Sequence, residues 1–363
     1  MPHSLPPDLT PLVIQWYQTA ARPLPWRGTG DPYRVWLSEI MLQQTRIEAV
    51  IPYYHRFLQT CPTVEALAAV DDDVLMKLWE GLGYYSRARN LKRAARIIVD
   101  EYGGAIPPDP TLLRRLPGIG EYTCGAISSI AFGLPEPAVD GNVLRVLTRL
   151  TACPDDIALP ATKKAAADAL CEIYPLGPDA GRFTEGLMEI GEIVCLPPPG
   201  EPRCADCPLH SLCRASAEGT IGRYPVKSPK KERRIEELTV FLLHSGGTYA
   251  LRRRPVHGLL GGMWEFPHVP GSLDPDDAVR AVRALCPGIE AETAVPLGHA
   301  KHVFTHVEWR MTGYRIEYTG PCPFETAAPD AIRTAYAVPT AFRRWKDLMD
   351  VGWTSDGHPL DTD

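Results

Sequence analysis

The sequence predicts two domains of different class, an all-α domain followed by an α+β domain. Three observations carry that expectation. From about Leu9 to Ala217, apolar residues recur at helical spacing in short runs punctuated by Pro and Gly. Beyond Ile235 the texture turns β-like, with a hairpin signal at Ser245-Gly246-Gly247. Between the two, Ile221 to Ile235 is basic and contains proline, which is linker composition. The boundaries read 1–220, 221–235 and 236–363, and 363 residues suffice for two ordinary cores.

Taken in order, Thr10 to Thr19 forms an amphipathic helix ending at the Pro23-Leu24-Pro25-Trp26-Arg27 turn. Pro32 to Val50 forms a second, with Val35, Trp36, Ile40, Met41 and Ile47 near helical spacing. Pro52–Leu58, Val64–Ala69, Asp73–Trp79 and Ser86–Tyr102 follow, then Tyr122–Phe132, Gly141–Leu150, Thr162–Ile173 and Arg182–Val194. In the second domain, Leu238–Leu243 and Tyr249–Arg252 form strands. Glu308 to Tyr318 alternates as a further strand, with Gly313 marking a bulge. Helices fall at Asp274–Leu285 and, with Pro339 near its first turn, at Thr340–Met349.

No stretch approaches the ~18 consecutive apolar residues of a membrane span. Pro2 to Thr10 lacks the features of a signal peptide, so a cytoplasmic protein that needs no membrane is expected, on the nucleoid if bacterial. The net charge of −6 argues against a general nucleic-acid coat protein. It leaves room for a duplex-binding enzyme, whose affinity depends on the local field. Basic residues cluster at Arg87, Arg89, Lys92, Arg93 and Arg96, and again from Lys227 to Arg234. Each cluster is either a solvated face or a contact surface.

Leu116 to Asn142 organises the chain. Leu116-Pro117-Gly118-Ile119-Gly120 is a tight turn between helices, and Gly118 and Gly120 let backbone N–H groups approach a phosphate without Cβ interference. About twenty residues on, Asp140 in Val139-Asp140-Gly141-Asn142 is placed as an N-cap. Alone, the unit reads first as a packed helix–turn–helix whose aspartate is only a cap. Glu39 lies in Val35-Trp36-Leu37-Ser38-Glu39-Ile40-Met41-Leu42. Apolar neighbours would raise its pKa, unless it lies on a polar stripe beside Gln43. Two acids of opposite environment, one kept neutral and one kept charged by a helix N-terminus, suit cleavage of a glycosidic bond.

Of ten cysteines, Cys195, Cys204, Cys207 and Cys213 form one run, C-x8-C-x2-C-x5-C. Four thiols so close in a cytoplasmic chain indicate a metal centre rather than disulfides. Zinc or a [4Fe–4S] cluster fits tetrahedral sulfur ligation. A single C-x2-C pair favours the cluster, with zinc the weaker alternative.

Six motifs in order turn this pattern into a resemblance. They are Leu24–Arg27, Ser38–Thr45, Trp79–Arg87, the Leu116–Gly120 hairpin, Val139–Asn142 and the four cysteines. Together they resemble the MutY family of adenine DNA glycosylases, within the helix–hairpin–helix, endonuclease III-like superfamily. Leu260–Pro267 and His302–His306 resemble that family's Nudix-like domain, so nearly the whole chain is covered. The resemblance implies an all-α helix–hairpin–helix glycosylase core with an iron–sulfur cluster loop at 195–213, followed by an α+β Nudix-like domain. It implies a monomeric, monofunctional enzyme that removes adenine opposite 8-oxoguanine or guanine in double-stranded DNA.

Residue by residue, the resemblance makes Glu39 the acid that protonates adenine. Asp140 stabilises the oxocarbenium ion, with Tyr122 and Asn142 assisting. Arg27 and Glu185 line the pocket. Gln44, Thr45, Leu82 and Tyr84 wedge into the duplex, and Gly118 and Gly120 hold a phosphate. Phe304, Thr305 and His306 read 8-oxoguanine, and Cys195, Cys204, Cys207 and Cys213 ligate the cluster.

Two departures stand out. The family usually has six residues between its first two cysteines, whereas this chain has eight, including Pro197, Pro198 and Pro199. Thr305 replaces the more common Ser but keeps the hydroxyl. Two rival activities lack their chemistry. A Schiff-base lyase needs a Lys where Tyr122 stands, and a phenol forms no imine. A Nudix pyrophosphatase needs a glutamate-rich metal helix, absent between Gly258 and Glu292. A non-catalytic mismatch-binding protein would have no use for both Glu39 and Asp140.

Overall fold

Three helices of this chain begin at an Asp-Pro pair: Asp31-Pro32, Asp109-Pro110 and Asp274-Pro275. In each, the aspartate accepts a backbone N–H of the first turn. The proline, with no N–H to leave unsatisfied, takes the first helical position. Each cap is worth about 1 kcal/mol.

The structure, a computed structural model, describes residues 4–229 and 232–350. It divides into two units, Met1–Ala69 with Arg89–Pro229 and Val70–Ala88 with Lys230–Asp363. The segment 70–88, expected within the helical domain, clusters with the C-terminal part instead. Pro2, the linker residues Lys230 and Lys231, and the end of the second domain beyond 350 lie outside the described residues.

In chain order the helices are α1 (Leu9–Ala20), α2 (Pro32–Leu42), α3 (Ile47–Thr60), α4 (Val64–Ala69), α5 (Asp72–Leu78) and α6 (Ser86–Tyr102). Next come α7 (Pro110–Leu113), α8 (Glu121–Phe132), α9 (Gly141–Thr151), α10 (Pro160–Cys171), α11 (Pro178–Glu189) and α12 (Arg214–Ala217). Of these, α5 belongs to the second unit, and α6 begins there and continues into the first. A π-helical turn, Ile190–Val194, continues α11 to Cys195. Leu9, Val13, Leu144, Leu147, Phe183 and Leu187 join α1, α9 and α11 in one core. Full burial of each such side chain contributes about 1.5–3 kcal/mol. Helix α2 packs on α8, which sets Glu39 against Tyr122.

The expected helix from Pro32 to Val50 is two helices. Gln44 has φ of 60°, left-handed backbone that an α-helix cannot contain, so α2 stops at Leu42 and α3 starts at Ile47. Helix α3 instead runs through Pro52, where a new start was expected.

The second unit is built on a sheet of seven strands, β1 (Arg234–Ser245), β2 (Thr248–Arg253), β3 (Trp264–Glu265), β4 (His268–Pro270), β5 (Val295–Val303), β6 (Val307–Glu317) and β7 (Glu325–Ala327). Its order is β3-β2-β1-β6-β5; β4 pairs with β1 and β7 with β2. The central pair β1–β6 is parallel and the other pairings are antiparallel. Ser245 pairs with Thr248 across the expected hairpin. Phe241, Leu243, Tyr314 and Ile316 pack on Ala278 and Val282 of α13 (Pro275–Leu285). The other face packs Leu242, Trp309 and Met311 with Ile332 of α14 (Pro329–Thr334) and Trp345 of α15 (Arg343–Asp347). The bulge expected at Gly313 lies in its partner strand, between Pro296 and Gly298. Gly313 serves close packing, since a Cβ there would meet Trp345 ring carbons at 2.3 Å.

Candidate active site

Helix α2 exposes little of itself. Its run from Val35 to Met41 is buried, and Glu39 within it is only 6% exposed. The bland reading of Glu39 on a solvated polar stripe therefore fails. Gln43, the expected neighbour on that stripe, donates Nε2 to Thr123 Oγ1 at 3.2 Å. Tyr122 donates its hydroxyl to Glu39 Oε2 at 2.5 Å. Burial is the largest influence on Glu39 and raises its pKa to about 7. The Tyr122 hydroxyl and Arg27 pull it down, while the charges of Glu185 and Asp140 push it up.

Asp140 caps α9 as anticipated, accepting from Val143 N at 2.7 Å. Its electrostatics differ from the expectation of an acid simply held charged. Burial pushes its pKa up, against the opposing pull of the Val143 and Asn142 N–H groups, Arg145 and the Asn142 side chain. Both carboxyls act on Tyr122, whose own pKa is raised well above the ordinary phenol value by burial and by them. Glu39, Tyr122 and Asp140 thus share one site, with Glu39 buried and the other two half-buried.

Arg27 and Glu185 belong to the same site. Arg27 Nε is buried, has no hydrogen-bond partner among the described residues, and lies 3.6 Å from Glu185 Oε1. Arg27 Nη2 donates to Glu189 Oε2 at 2.8 Å, and Arg22 grips Glu189 through Nε and Nη2 at 2.7 and 2.9 Å. Burial works to raise the Glu189 pKa, but the two guanidiniums outweigh it and hold it at about 2. Tyr17 donates its hydroxyl to Glu185. Sequence reasoning missed Tyr17, Arg22 and Glu189. The available signal was Glu185 and Glu189 one turn apart on α11, an i, i+4 acid pair amid Phe183, Leu187 and Met188.

Asn142 is half-buried. Its Oδ1 accepts from Arg145 Nη2 at 2.7 Å, and Arg145 also donates to Gly191 O and Cys195 O, each at 2.7 Å. Arg145 therefore ties the start of α9 to the π-helical turn and the first of the four cysteines. Cys195, Cys204, Cys207 and Cys213 line one cavity of about 30 Å³ with Arg149, whose Nη1 lies 3.2 Å from Cys195 Sγ. Among the described residues, no three His, Cys, Asp or Glu side chains gather around one point as a single ion requires. A cluster asks for no such convergence, since each thiolate takes a different iron.

At the hairpin, Gly118 has φ of 81°, and a Cβ there would meet Asn90 Cβ at 2.9 Å. Gly120, the N-cap of α8, has open space where its Cβ would be. The amides that start α8 are thus approachable by a phosphate. Exposed Gln44 and half-buried Thr45 stand in the turn that leaves α2.

In the second unit, Phe304, Thr305 and His306 form the turn between β5 and β6. Phe304 packs edge-on against Trp309 and His302, with ring centroids 4.9 and 4.5 Å apart. Thr305 and His306 are exposed. Thr305 Oγ1 lies 2.7 Å from Tyr84 OH, so the 79–85 segment sits against this turn. Of the two expected wedge residues there, Tyr84 protrudes at 44% exposure while Leu82 is folded beneath it at 6%. Arg233 Nε donates to Phe304 O at 3.1 Å and Arg234 N to His306 O at 3.2 Å. The described end of the basic linker therefore borders the same turn.

Residues 37–174 match the HhH-GPD superfamily base excision DNA repair protein family, and residues 239–347 match the NUDIX domain. The adenine DNA glycosylase of Homo sapiens is 33% identical over 381 residues, spanning 88% of this chain and 68% of its own. Among solved structures, a thermostable thymine-DNA glycosylase superposes with a TM-score of 0.52 at 28% identity, over 58% of this chain and 96% of its own. A trapped endonuclease III–DNA covalent intermediate does so at 0.50 and 25%, over 59% and 99%. No helix of the described residues is long and apolar enough to cross a membrane.

Proposed function

Since the chain belongs to the adenine DNA glycosylase family, we propose that it excises adenine paired with 8-oxoguanine or guanine from duplex DNA, cleaving the N-glycosidic bond without cutting the strand. It is a DNA N-glycosylase of base excision repair, a hydrolase. The observation that carries the reading is Glu39, a carboxyl buried on an apolar helix, held by Tyr122 and titrating at about 7. Adenine leaves a sugar readily once a ring nitrogen is protonated, and an acid of that pKa has a proton to give near neutrality. Asp140 supplies the opposite charge to the sugar cation as the bond breaks, and water completes the hydrolysis. Tyr122 keeps Glu39 aimed, and Asn142 with Arg145 steadies the loop of Asp140. Arg27 and Glu185 form the polar wall that meets the extruded base.

Extrusion costs a few kcal/mol, least at a mispair. Tyr84, with Gln44 and Thr45, offsets it by filling the opened stack, while Leu82, expected as a wedge, stays buried beneath Tyr84 and Gly118 and Gly120 hold a backbone phosphate. Phe304, Thr305 and His306 read the 8-oxoguanine left behind. Tyr122 in place of an amine supports hydrolysis without lyase chemistry. Substantial borohydride trapping of an enzyme–DNA adduct would count against it.

The donor set of Cys195, Cys204, Cys207 and Cys213 around one small cavity fits a [4Fe–4S] cluster. Bound there, the cluster would supply cross-links among the π-helical turn and the loop from Cys204 to Cys213. Purified protein should be brown with broad visible absorbance; colourless protein containing zinc would refute the assignment. The primary test is excision on duplexes bearing adenine opposite 8-oxoguanine, guanine or cytosine. The expected order of rates is 8-oxoguanine, then guanine, with cytosine negligible. Release of oxidised pyrimidines instead of adenine would overturn the reading.

A further inference from the structure

The turn that carries Tyr84 is held in a backbone conformation that side chains avoid. Gly81, Gly83 and Tyr84 have φ of 104°, 71° and 47°. Glycine adopts such angles freely, but a tyrosine keeps one only where its surroundings over-determine it. Those surroundings converge on Arg87, a residue of the basic cluster with no role so far.

Arg87 does not behave as a surface cation. It is buried, 8% exposed, and its Nη2 donates to Leu82 O at 3.0 Å and to Gly83 O at 3.1 Å. Its guanidinium carbon lies 5.4 Å from the Trp79 ring centroid and 5.7 Å from that of Tyr84. Trp79, fully buried, donates Nε1 to Gly83 O at 3.1 Å, and Arg87 N donates to Tyr84 O at 2.9 Å. Burial lowers the Arg87 pKa to about 10, so the side chain stays charged at neutral pH. A buried cation is costly unless its donors are used, and here Nη2 is spent on two carbonyls of the strained turn. The result is an exposed Tyr84 ring.

We propose that Arg87 is the positioning residue of the Tyr84 wedge, its Nη2 bridging the Leu82 and Gly83 carbonyls so that the Tyr84 ring projects ready to enter the stack beside the oxidised guanine. This rests on the reading of Tyr84 as a wedge. A planar guanidinium can hold both carbonyls through Nη2 while its plane lies against two rings, whereas the compact ammonium of lysine cannot do both. Without the guanidinium, Tyr84 relaxes toward negative φ and its ring loses that direction. The stacking that offsets extrusion of the adenine is then lost, while the acid at Glu39 is untouched.

The test uses the full chain and a duplex with adenine opposite 8-oxoguanine, carrying 2-aminopurine next to the 8-oxoguanine. Its fluorescence rises when the neighbouring stack is opened. Tyr84→Ala, Arg87→Met and Arg87→Lys are compared with wild type for this rise, for single-turnover excision and for thermal melting. Tyr84→Ala should abolish the rise. Arg87→Met should lose most of it and slow excision by about tenfold or more, with Arg87→Lys in between. An Arg87 that merely stabilises the fold would lower the melting temperature and leave the rise per folded molecule unchanged. If Tyr84→Ala keeps the rise, the wedge reading falls. If Tyr84→Ala abolishes it while folded Arg87→Met retains it in full, the role of Arg87 falls. Should Arg87→Met not fold, Arg87→Lys decides in the same way, an undiminished rise overturning the proposal and a reduced one upholding it.

Discussion

Around Glu39 the candidate side chains are buried or half-buried and tied to one another; at the turn from Phe304 to His306 two of the three candidate side chains stand in solvent. The first region gets its leverage from desolvation. Taking Glu39 and Asp140 out of water raises both pKa values, and each nearby group then moves them further. The second region cannot use that lever, because exposed groups are screened. It has shape instead, an aromatic packed edge-on beneath two polar residues and an exposed ring beside them. The difference teaches where mutations should act as switches and where they should act as dials.

The largest effect should come from the pocket. Glu39→Gln preserves shape but has no proton to give, so excision should fall by about a thousandfold or more while duplex affinity stays near wild type. Rapid-quench excision and a binding titration check both; wild-type turnover would place the acid elsewhere. Next is Tyr122→Phe. The hydroxyl lowers the Glu39 pKa by bonding its charged form, and such a bond is worth about 1.5–3 kcal/mol. Its removal should move the alkaline limb of the excision rate upward by about one pH unit. A downward move would mean that the hydroxyl favours the neutral acid.

The reading turn should respond by degrees. Replacing Thr305 and His306 together with Ala should narrow the preference for adenine opposite 8-oxoguanine over adenine opposite guanine by about tenfold. An unchanged ratio would remove both residues from recognition. The smallest effect belongs to Arg234, whose side chain is exposed beside the turn. Arg234→Ala should lower the slope of log affinity against log salt by about 1, with little change in the saturated excision rate. An unaltered slope would mean that it meets no phosphate.

The two regions also differed in how far the sequence disclosed them. Glu39 was legible because the run from Val35 to Leu42 leaves a carboxyl little polar company, and Asp140 because an acid before Gly141 follows the grammar of helix starts. The four cysteines declared themselves by spacing. Tyr17, Arg22 and Glu189 were hidden because their bonds join residues more than 160 positions apart, which no local pattern encodes. For Asp140, the cap was readable but the burial that pushes its pKa up was not. In the second unit, β5 was missed because its exposed edge alternates Pro296, His299 and Lys301 with few buried residues. That the 70–88 segment docks with β2, α15 and the β5–β6 turn is equally non-local, resting on Asp73–Arg253, Glu80–Lys346 and Tyr84–Thr305.

The most direct test of a buried acid poised near neutrality is the pH dependence of single-turnover adenine excision opposite 8-oxoguanine. Glu39 must be protonated to act, and its pKa is raised, so activity should be full below about pH 7 and fall about tenfold per unit above it. A rate that stays level through about pH 9, or that already declines at the ordinary carboxyl pKa of 4.5, would contradict the assignment of Glu39.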